Sequence, residues 1–483
     1  RHPSIDLELY HLTPLGTVKP ASQHAAANTY DGHYVVGAMN ASFFNMANGF
    51  PVNLIVKNNE IIQFGRLGPD ANSPVHAPFA FGVNRNGALM IAEFQPTLKM
   101  IHNGRELELH SVNGERQYRE AVLYTSAYAK PTTGASPYVT DIIVTNTDKS
   151  AKNFSFGDRI TGTVSEIRRL GEGADAPIPE DGFVISANGA PLAEALASVS
   201  VGDEITVEAQ INDVWKNAKF LLATGPTLVR NGNVSISMNE KSSFASTRRA
   251  RSAVGISSDG TKLYFVTIDE GNGYSAGATL RELAEYMRSL GAYHAITLDG
   301  GGSTTLLARL PYYERAVVVN RPSDGRERSV PTTLQVISTE PPKKVTEAML
   351  VVDSFETLDR WVAASSRAQA TLQMTTAYDP VRVGTKAFKL TYDYTKGETG
   401  TAAAYVQAKT AIPLKGRPLE LGMWAYGDER PHWLRATVID GAGARHTVDF
   451  TESDAFHWTG WRYVRAKLPA DAVSSTRARR KSR

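Results

Sequence analysis

The chain has 483 residues, 42% of them hydrophobic and 21% charged, which is enough apolar material to bury a sizeable core. Length and composition together exclude a single small module and wholesale disorder. The longest apolar runs, VVGAM near residue 35 and AMLVV near 350, fall far short of the roughly 20 residues that a bilayer-spanning helix needs. Net charge is +3, but the last ten residues carry five cations (Arg477, Arg479, Arg480, Lys481, Arg483) and no acid, so the remainder holds −2. Nothing there provides the basic footprint of a nucleic-acid binder. Cysteine is absent, which excludes disulfides, thiolate metal sites and a thiol nucleophile and leaves oxygen, imidazole and hydroxyl chemistry. A thiol-free chain suits an oxidising compartment, and the first residue is Arg1 rather than Met. The expectation is therefore a bacterial protein that is secreted or held at the cell surface after its leader is removed.

In chain order, the first zone alternates β-type runs with Asn- and Gly-containing turns. LIVKNNEIIQFG (54–65) and FGVNRNGALMIAEF (81–94) read as hairpins. From about 105 to 220 further β-rich segments follow, broken by turns such as EGADAPIPEDG with Pro177, Pro179 and Gly182, and this section reads as scaffold. LYFVTI (263–268) then runs into Asp269. In TLRELAEYMRSLG, Leu280, Leu283, Ala284, Met287 and Leu290 fall on one helical face, Thr279 and Glu282 form a capping box and Gly291 supplies a stop. This spacing predicts a helix over about 280–290. YHAITL (293–298) follows and ends at Asp299. If the two flanking runs share one sheet, they form a crossover with parallel strands, and adjacent strands about 4.8 Å apart would pair Asp269 with Asp299 at one sheet edge.

STEPPKKVTE (338–347), with Pro341 and Pro342, reads as a linker. Beyond it, FKLTYDY, TAAAYVQAKTAI, LELGMWAYG, HWLRATVIDGAG, HTVDFTE and WRYVRAKL read as successive antiparallel strands of a β-sandwich or jelly roll. The expected fold class is an α+β domain, a mixed sheet with few helices, over 1–340, followed by an all-β sandwich over 348–473. That sandwich lacks an apolar closing strand, and residues 474–483 read as a disordered basic tail.

Four stretches could carry chemistry. In LDGGGST (298–304), Asp299 precedes Gly300, Gly301, Gly302 and Ser303, so the backbone can approach a bound group and loop amides can face an anion. The plainer alternative is a tight turn with a capping aspartate. No lysine follows the glycines, which excludes a P-loop. In AMNASFFNMANGF (38–50), Asn40 and Asn45 flank Phe43 and Phe44, a composition suited to sugar hydroxyls and sugar faces, or to a strand end packed in the core. Arg251 opens RSAVGI, and Asp324, Arg326 and Arg328 lie in NRPSDGRERSV. Both are anion-clamp candidates because a guanidinium fork matches phosphate.

The eleven histidines show no HxxxH or HxH pairing, so no zinc site is expected. Asp353, Ser354, Phe355 and Glu356, and separately Asp440, are oxygen-rich and could hold a structural calcium; no other cofactor is expected. Five of the six tryptophans, Trp361, Trp424, Trp433, Trp458 and Trp461, fall in the second zone, where they serve either glycan binding or core packing.

Taken in order, NASFF, RSAVGI, TLRELAEYM, LDGGGST and PSDGRERSV resemble the phosphodiester glycosidase family, over about residues 30 to 340. GPTLVRNGNV (225–234) resembles a further family segment, with Ala223, Thr224 and Gly225 where bacterial relatives are often richer in glycine. The resemblance implies hydrolysis of a sugar-1-phosphodiester, of N-acetylglucosamine type, at the glycosidic carbon. Free sugar and a phosphomonoester would be released, on cell-wall or extracellular polysaccharide. It implies Asp299 as nucleophile or general base with Asp269 as its partner, and Arg251 and Arg328 as the phosphate clamp. Substrate contacts are expected from Asn40, Phe44, Asn45, Gly300, Gly301, Gly302, Ser303 and Asp324. Phosphate leaves with low basicity, so cationic stabilisation matters more than a strong general acid. The competing readings are a non-catalytic glycan-binding surface protein, and a phosphodiesterase cutting phosphorus–oxygen bonds, which lacks the dense carboxylate and histidine set of a two-metal site. The expected partner is a glycosyl phosphodiester or glycan, with no nucleic acid and no membrane span, and the oligomeric state is not legible.

Overall fold

The structure is a computed structural model describing residues 4–65, 70–172, 175–271, 275–310, 315–340, 351–376, 379–395, 399–414, 416, 418–470 and 472. Most of the expected linker, from 341 on, and the expected basic tail lie outside the described residues. The protein is mostly β, 43% strand and 8% helix. It divides into a larger unit built from Arg1–Gly271, Ser275–Arg309 and Asn320–Glu340, and a smaller one that takes up Pro341–Arg483.

In the larger unit the elements that carry the site are the strands Tyr34–Asn40 (β1), Arg251–Ile256 (β2) and Leu263–Ile268 (β3), the helix Leu280–Ser289 (α1), and the strands His294–Thr297 (β4) and Leu306–Ala308 (β5). The sheet around α1 has the order Asn233–Val234, Thr227–Arg230, β4, β2, β3. β2 is antiparallel to both of its neighbours, with Arg251 opposite Ile268 and Ala253 opposite Thr297. β3 and β4 therefore run parallel, as a helical crossover requires, but β2 lies between them. Two interstrand spacings, about 9.6 Å, separate them instead of the single spacing expected from the sequence. Periodicity and the crossover rule set strand direction, whereas strand adjacency depends on β2 forming a hairpin with β3. The same antiparallel order brings the first residue of β2 to the edge where β3 and β4 end.

α1 forms where the sequence predicts it. The Glu282 amide donates to the Thr279 hydroxyl (3.2 Å) and the Thr279 amide donates back to the Glu282 carboxylate (3.0 Å), which satisfies two otherwise orphaned donors. Leu280, Leu283, Ala284 and Met287 are fully buried, packed with Leu228, Val229, Ala253 and Ala295 of the sheet. A Cβ at Gly255 of β2 would lie 2.6 Å from Met287 Cε and 3.1 Å from Ala292 Cβ, so glycine there sets how closely helix and sheet approach.

β1 belongs to another sheet, in which Ile5–His11, Thr332–Ser338, β1 and β5 follow one another in antiparallel ladders. Ile55–Lys57 and Glu60–Gln63 form the expected hairpin, with Asn58 and Asn59 both at positive φ as a tight hairpin turn demands. Phe79–Val83 and Leu89–Glu93 form the second. The section read as scaffold is an eight-stranded sheet between Pro96–His102 and Glu204–Ile211, closed over a core that includes Leu123, Ile142, Phe183, Val207 and Trp215. Its ladders are antiparallel apart from a two-residue parallel ladder between Ser111–Val112 and Ala121–Thr125, so antiparallel pairing outweighs the mixed pattern expected.

The smaller unit consists of antiparallel two-stranded ladders: Trp361–Ser366 with Ala403–Ala408, Gln369–Met374 with Phe388–Asp393, Glu420–Asp428 (β6) with Thr459–Lys467 (β7), and Arg435–Ile439 with Arg445–Asp449. The first strand of each of the first two ladders is not among the strands expected from the sequence, although QATLQM does alternate Ala370, Leu372 and Met374 with polar residues. Val448, Phe450, Val464 and Ala466 form a small core with Leu421, Met423 and Ala425.

Leu283→Ala is expected to cost about 3 kcal/mol in urea-induced unfolding, as truncation of a fully buried leucine typically does. A loss below about 1 kcal/mol would show that this face of α1 does not anchor the sheet.

Candidate functional site

Asp299 stands two residues past the end of β4, at the edge where β2 begins. Its backbone is held on both sides: the Asp299 amide donates to Ala41 O (3.2 Å), and the Asn40 side-chain amide donates to Asp299 O (2.6 Å). The Asn40 side-chain oxygen accepts from the Thr305 amide (3.1 Å) and from the Ser252 hydroxyl (2.9 Å). One buried asparagine at the end of β1 thus ties both ends of the 299–305 loop to β2. The sequence reading placed Asn40 against a sugar, but its amide is instead consumed inside the protein.

A second bracket holds the far end of the loop. The Asn320 oxygen accepts from the Leu306 amide (2.8 Å), and its nitrogen donates to Thr304 O (3.1 Å) and to Asp269 (2.9 Å). The other Asp269 oxygen accepts from the Arg321 amide (2.8 Å). Burial pushes the Asp269 carboxyl up, against the pull of Asn320 and Arg321. Both Asp269 oxygens are therefore engaged with the 320–321 segment, on the far side of β2 from β4. Asn320 opens NRPSDGRERSV and is not among the functional residues expected from the sequence. The available signal was an asparagine just ahead of a proline-led turn.

Between the brackets, the Gly300 amide donates to the Asp299 carboxylate (3.0 Å) and the Gly301 amide to Ala250 O (2.8 Å). Gly301–Ser303 forms a single 3-10 turn with Gly301 at φ 59°. Gly302 leaves room for the Arg328–Asp324 pair: a Cβ there would fall 1.9 Å from Arg328 Nη2 and 2.3 Å from Asp324 Oδ2, so either side chain would have to swing aside. Arg328 donates to Asp324 through Nε (3.0 Å) and Nη2 (2.9 Å), and both side chains are partly exposed. Burial pushes the Asp299 carboxyl up to about 6, while the Ser303 hydroxyl, the Gly300 amide and the Arg328 charge pull it down. Ser303 Oγ is fully buried and near enough to act on Asp299, yet it makes no hydrogen bond of full geometry. The Thr304 and Thr305 hydroxyls that follow are buried and unpartnered as well.

Arg251 is 2% exposed and faces away from any solvent-borne anion. Its Nε donates to Ala278 O (2.9 Å) and its Nη2 to Phe244 O and Thr247 O (2.7 Å each). Its guanidinium lies 4.8 Å from the Phe244 ring, which meets Phe43 edge-on at 6.2 Å, and burial lowers its pKa to about 10. The fork expected to clamp phosphate thus fastens the start of β2 to three carbonyls. Phe44 is half-buried and bridges to Pro51, and Asn45 is exposed with its side-chain oxygen accepting from the Ala47 amide (2.9 Å). A groove of about 260 Å³ lies at the start of α1, lined by Glu240, Ala245, Ser246, Thr279, Leu280 and Arg281, and contains no residue of the Asp299 loop.

Among the described residues no group of three or more His, Asp or Glu could hold a metal ion. The carboxylates read as calcium ligands are engaged by protein donors: Asp353 by the Phe355 amide and the Trp361 indole, Glu356 by Thr385, Asp440 by the Ala442 and Ala444 amides. Nor is any described helix long and apolar enough to cross a membrane.

Residues 157–337 match the family model of the phosphodiester glycosidases. That window contains Arg251, Asp269, Asp299, Asn320, Asp324 and Arg328, whereas Asn40, Phe44 and Asn45 precede it. Over 123 residues the chain is 31% identical to the SPbeta prophage-derived uncharacterized protein YomE of Bacillus subtilis strain 168, a stretch covering 26% of this chain and 18% of that one. The chain therefore spans under a fifth of that relative's length. Among solved structures, a hypothetical protein from Synechocystis is similar with a TM-score of 0.54 and 22% identity, covering 70% of this chain and 57% of that one. A protein assigned as exported from Burkholderia pseudomallei K96243 is similar with a TM-score of 0.51 and 20% identity, covering 69% and 71%. At these identities the likeness is one of fold.

Asp299 carries its proton to a higher pH in the folded protein than in the unfolded chain, so its contribution to stability falls as pH rises from about 4 through about 6. Asp299→Asn is accordingly expected to stabilise the protein at pH 7 by up to about 3 kcal/mol and to make little difference near pH 4. Thermal and urea unfolding at the two pH values measure this, and a variant equally affected at both would contradict the burial of charge at this position.

Proposed function

We propose that the protein hydrolyses the glycosidic bond of a sugar-1-phosphodiester, of N-acetylglucosamine type, releasing free sugar and a phosphomonoester. The observation that carries this reading is the half-buried Asp299 carboxyl, its pKa raised, close to Arg328 at a glycine loop, inside the window that matches the phosphodiester glycosidases. Asp299 is assigned to the chemical step. With its pKa raised to about 6 it is ionised at neutral pH yet basic enough to take a proton from water, or to attack the sugar carbon itself.

Arg328, oriented by Asp324, is assigned to the phosphate. A partly exposed guanidinium beside main-chain amides stabilises the charge that gathers on phosphate as the carbon–oxygen bond breaks. A low-basicity leaving group reduces the need for a second, acidic carboxyl. Asp269, engaged by Asn320 and Arg321, is accordingly assigned to holding the loop. Phe44 and Asn45, at the surface of the same unit, remain candidates for contacts to the sugar. A secreted or cell-surface location, with cell-wall or extracellular polysaccharide as substrate, is supported by the absence of cysteine and by likeness to a protein assigned as exported.

Asp299→Asn is expected to abolish release of reducing sugar from sugar-1-phosphate diesters while the protein stays folded. Activity within about tenfold of the parent, roughly 1.4 kcal/mol of barrier, would remove this residue from the chemical step. In oxygen-18 water the label should enter the sugar; label in the phosphate would establish phosphorus–oxygen cleavage instead. Arg328→Lys should lose at least about tenfold more on a diester than on a neutral aryl glycoside, because an ammonium keeps the charge but not the fork. Arg251→Lys, by contrast, should lower stability and affect both substrates alike.

A further inference from the structure

Ser303, expected from the sequence among the substrate contacts, is fully buried, and its hydroxyl has no full hydrogen bond. A hydroxyl shut away from water without a partner is costly, so the position calls for an acceptor. The turn itself supplies one. The Ser303 amide donates to Gly300 O (3.2 Å), the Gly301 amide to Ala250 O (2.8 Å) and the Gly300 amide to Asp299 Oδ1 (3.0 Å). These bonds wrap the chain so that Ser303 returns within reach of the carboxyl from which the turn starts. Among the described residues no full hydrogen bond reaches the other carboxyl oxygen, Asp299 Oδ2. Asn40 holds Asp299 O (2.6 Å) and the Thr305 amide (3.1 Å), and Asn320 holds Thr304 O (3.1 Å), so neither end of the turn can draw away.

We infer that Ser303 is a positioning residue, whose hydroxyl donates to Asp299 Oδ2 once the carboxyl is ionised and holds the carboxylate in one direction. A hydroxyl hydrogen rotates to suit its acceptor, and an ionised carboxylate accepts more strongly than a neutral one, so charge on Asp299 completes the bond. With the Gly300 amide on one oxygen and the Ser303 hydroxyl on the other, the group cannot spin about its Cβ–Cγ bond. Its remaining lone pairs keep one orientation, as a base or nucleophile aimed at a single sugar carbon requires. The other charged groups nearby are committed. Arg328, from the turn before the final strand, is paired with Asp324; Arg251 of β2 is spent on three carbonyls; Asp269, beyond β2, is engaged by Asn320 and Arg321. The end of β1 presents the uncharged Asn40. Burial raises the Asp299 pKa, and Ser303, ahead of Gly300 and Arg328, works against it. The catalytic consequence rests on the role proposed above for Asp299, whereas the contact itself does not.

The test reads the carboxyl directly. In the full chain with carbon-13 in its aspartate carboxyls, Asp299 is assigned by the signal that Asp299→Asn removes and is titrated by NMR. Ser303→Ala is expected to raise its pKa from about 6 by at least about half a pH unit, because the ionised form loses a donor. Ser303→Cys, a weaker donor of similar size, gives the same reading if the alanine variant does not fold. Thr304→Val removes the next buried hydroxyl and should leave the titration in place. In the pH profile of kcat/KM for a sugar-1-phosphate diester, the acid limb should move up with the NMR value. On the plateau kcat should fall at least about threefold while KM stays within about twofold, since a buried hydroxyl does not touch the sugar. A smaller NMR shift in a folded Ser303 variant, an equal shift in Thr304→Val, or an unmoved acid limb in an active variant would overturn the inference. So would a raised KM at unchanged kcat, which would make Ser303 a substrate contact. If the parent protein cleaves no diester, the catalytic reading of Asp299 falls, while the NMR titration still decides its contact with Ser303.

Discussion

The larger unit's candidate site depends on one buried side-chain amide. Asn40 reaches from the end of β1 to Asp299 O, the Thr305 amide and the Ser252 hydroxyl, so a single group joins two sheets and fixes both ends of the loop between them. Leaving any one of these buried partners unsatisfied costs about 1–3 kcal/mol, which makes the arrangement close to all-or-none. Asn320 repeats the device from the other side, linking Thr304 O and the Leu306 amide to Asp269. With both ends pinned, the three glycines between them fold back without side chains of their own, and space remains beside Gly302 for Arg328 and Asp324.

That pinning explains the electrostatics. A carboxyl on a mobile loop would swing into water and keep an ordinary pKa, whereas Asp299 is held half-buried against the loop and its proton is retained to about pH 6. Arg328 offsets part of the burial cost and is itself engaged by Asp324. Arg251 shows the opposite use of the same residue type. Buried on carbonyls and stacked on Phe244, it serves the start of β2.

The smaller unit solves a different problem with less core. Leu421, Met423 and Ala425 give β6 one apolar face, and the alternate positions place Trp424 and Tyr426 on the other, so the ribbon is amphipathic in an unusual sense, aliphatic on one side and aromatic on the other. Tryptophan clustering in the sequence marked this region for either packing or binding, and the structure shows the packing part of that reading. Trp458 joins the small core, while Trp424 and Trp461 lie on the far face of the sheet.

The sequence by itself determined what depends on near neighbours along the chain. The helix at 280–289 follows from apolar spacing and the capping box of Thr279 and Glu282; the hairpin at 55–63 follows from Asn58 and Asn59; and the glycine loop after Asp299 follows from composition. It also placed Asp299, Asp324 and Arg328 among the candidates, because each stands in a motif whose chemistry is local. Only the tertiary structure decided that β2 separates Asp269 from Asp299, that Asn40 and Arg251 point inward, and that Asn320 completes the loop's support. Each of those outcomes rests on partners brought together from distant segments: Asn40 is 259 residues from Asp299 and 265 from Thr305. An amide or guanidinium has the same donors whether it meets a ligand or a carbonyl. Which it meets is set by strand order and burial, and neither is written in the residues on either side of it.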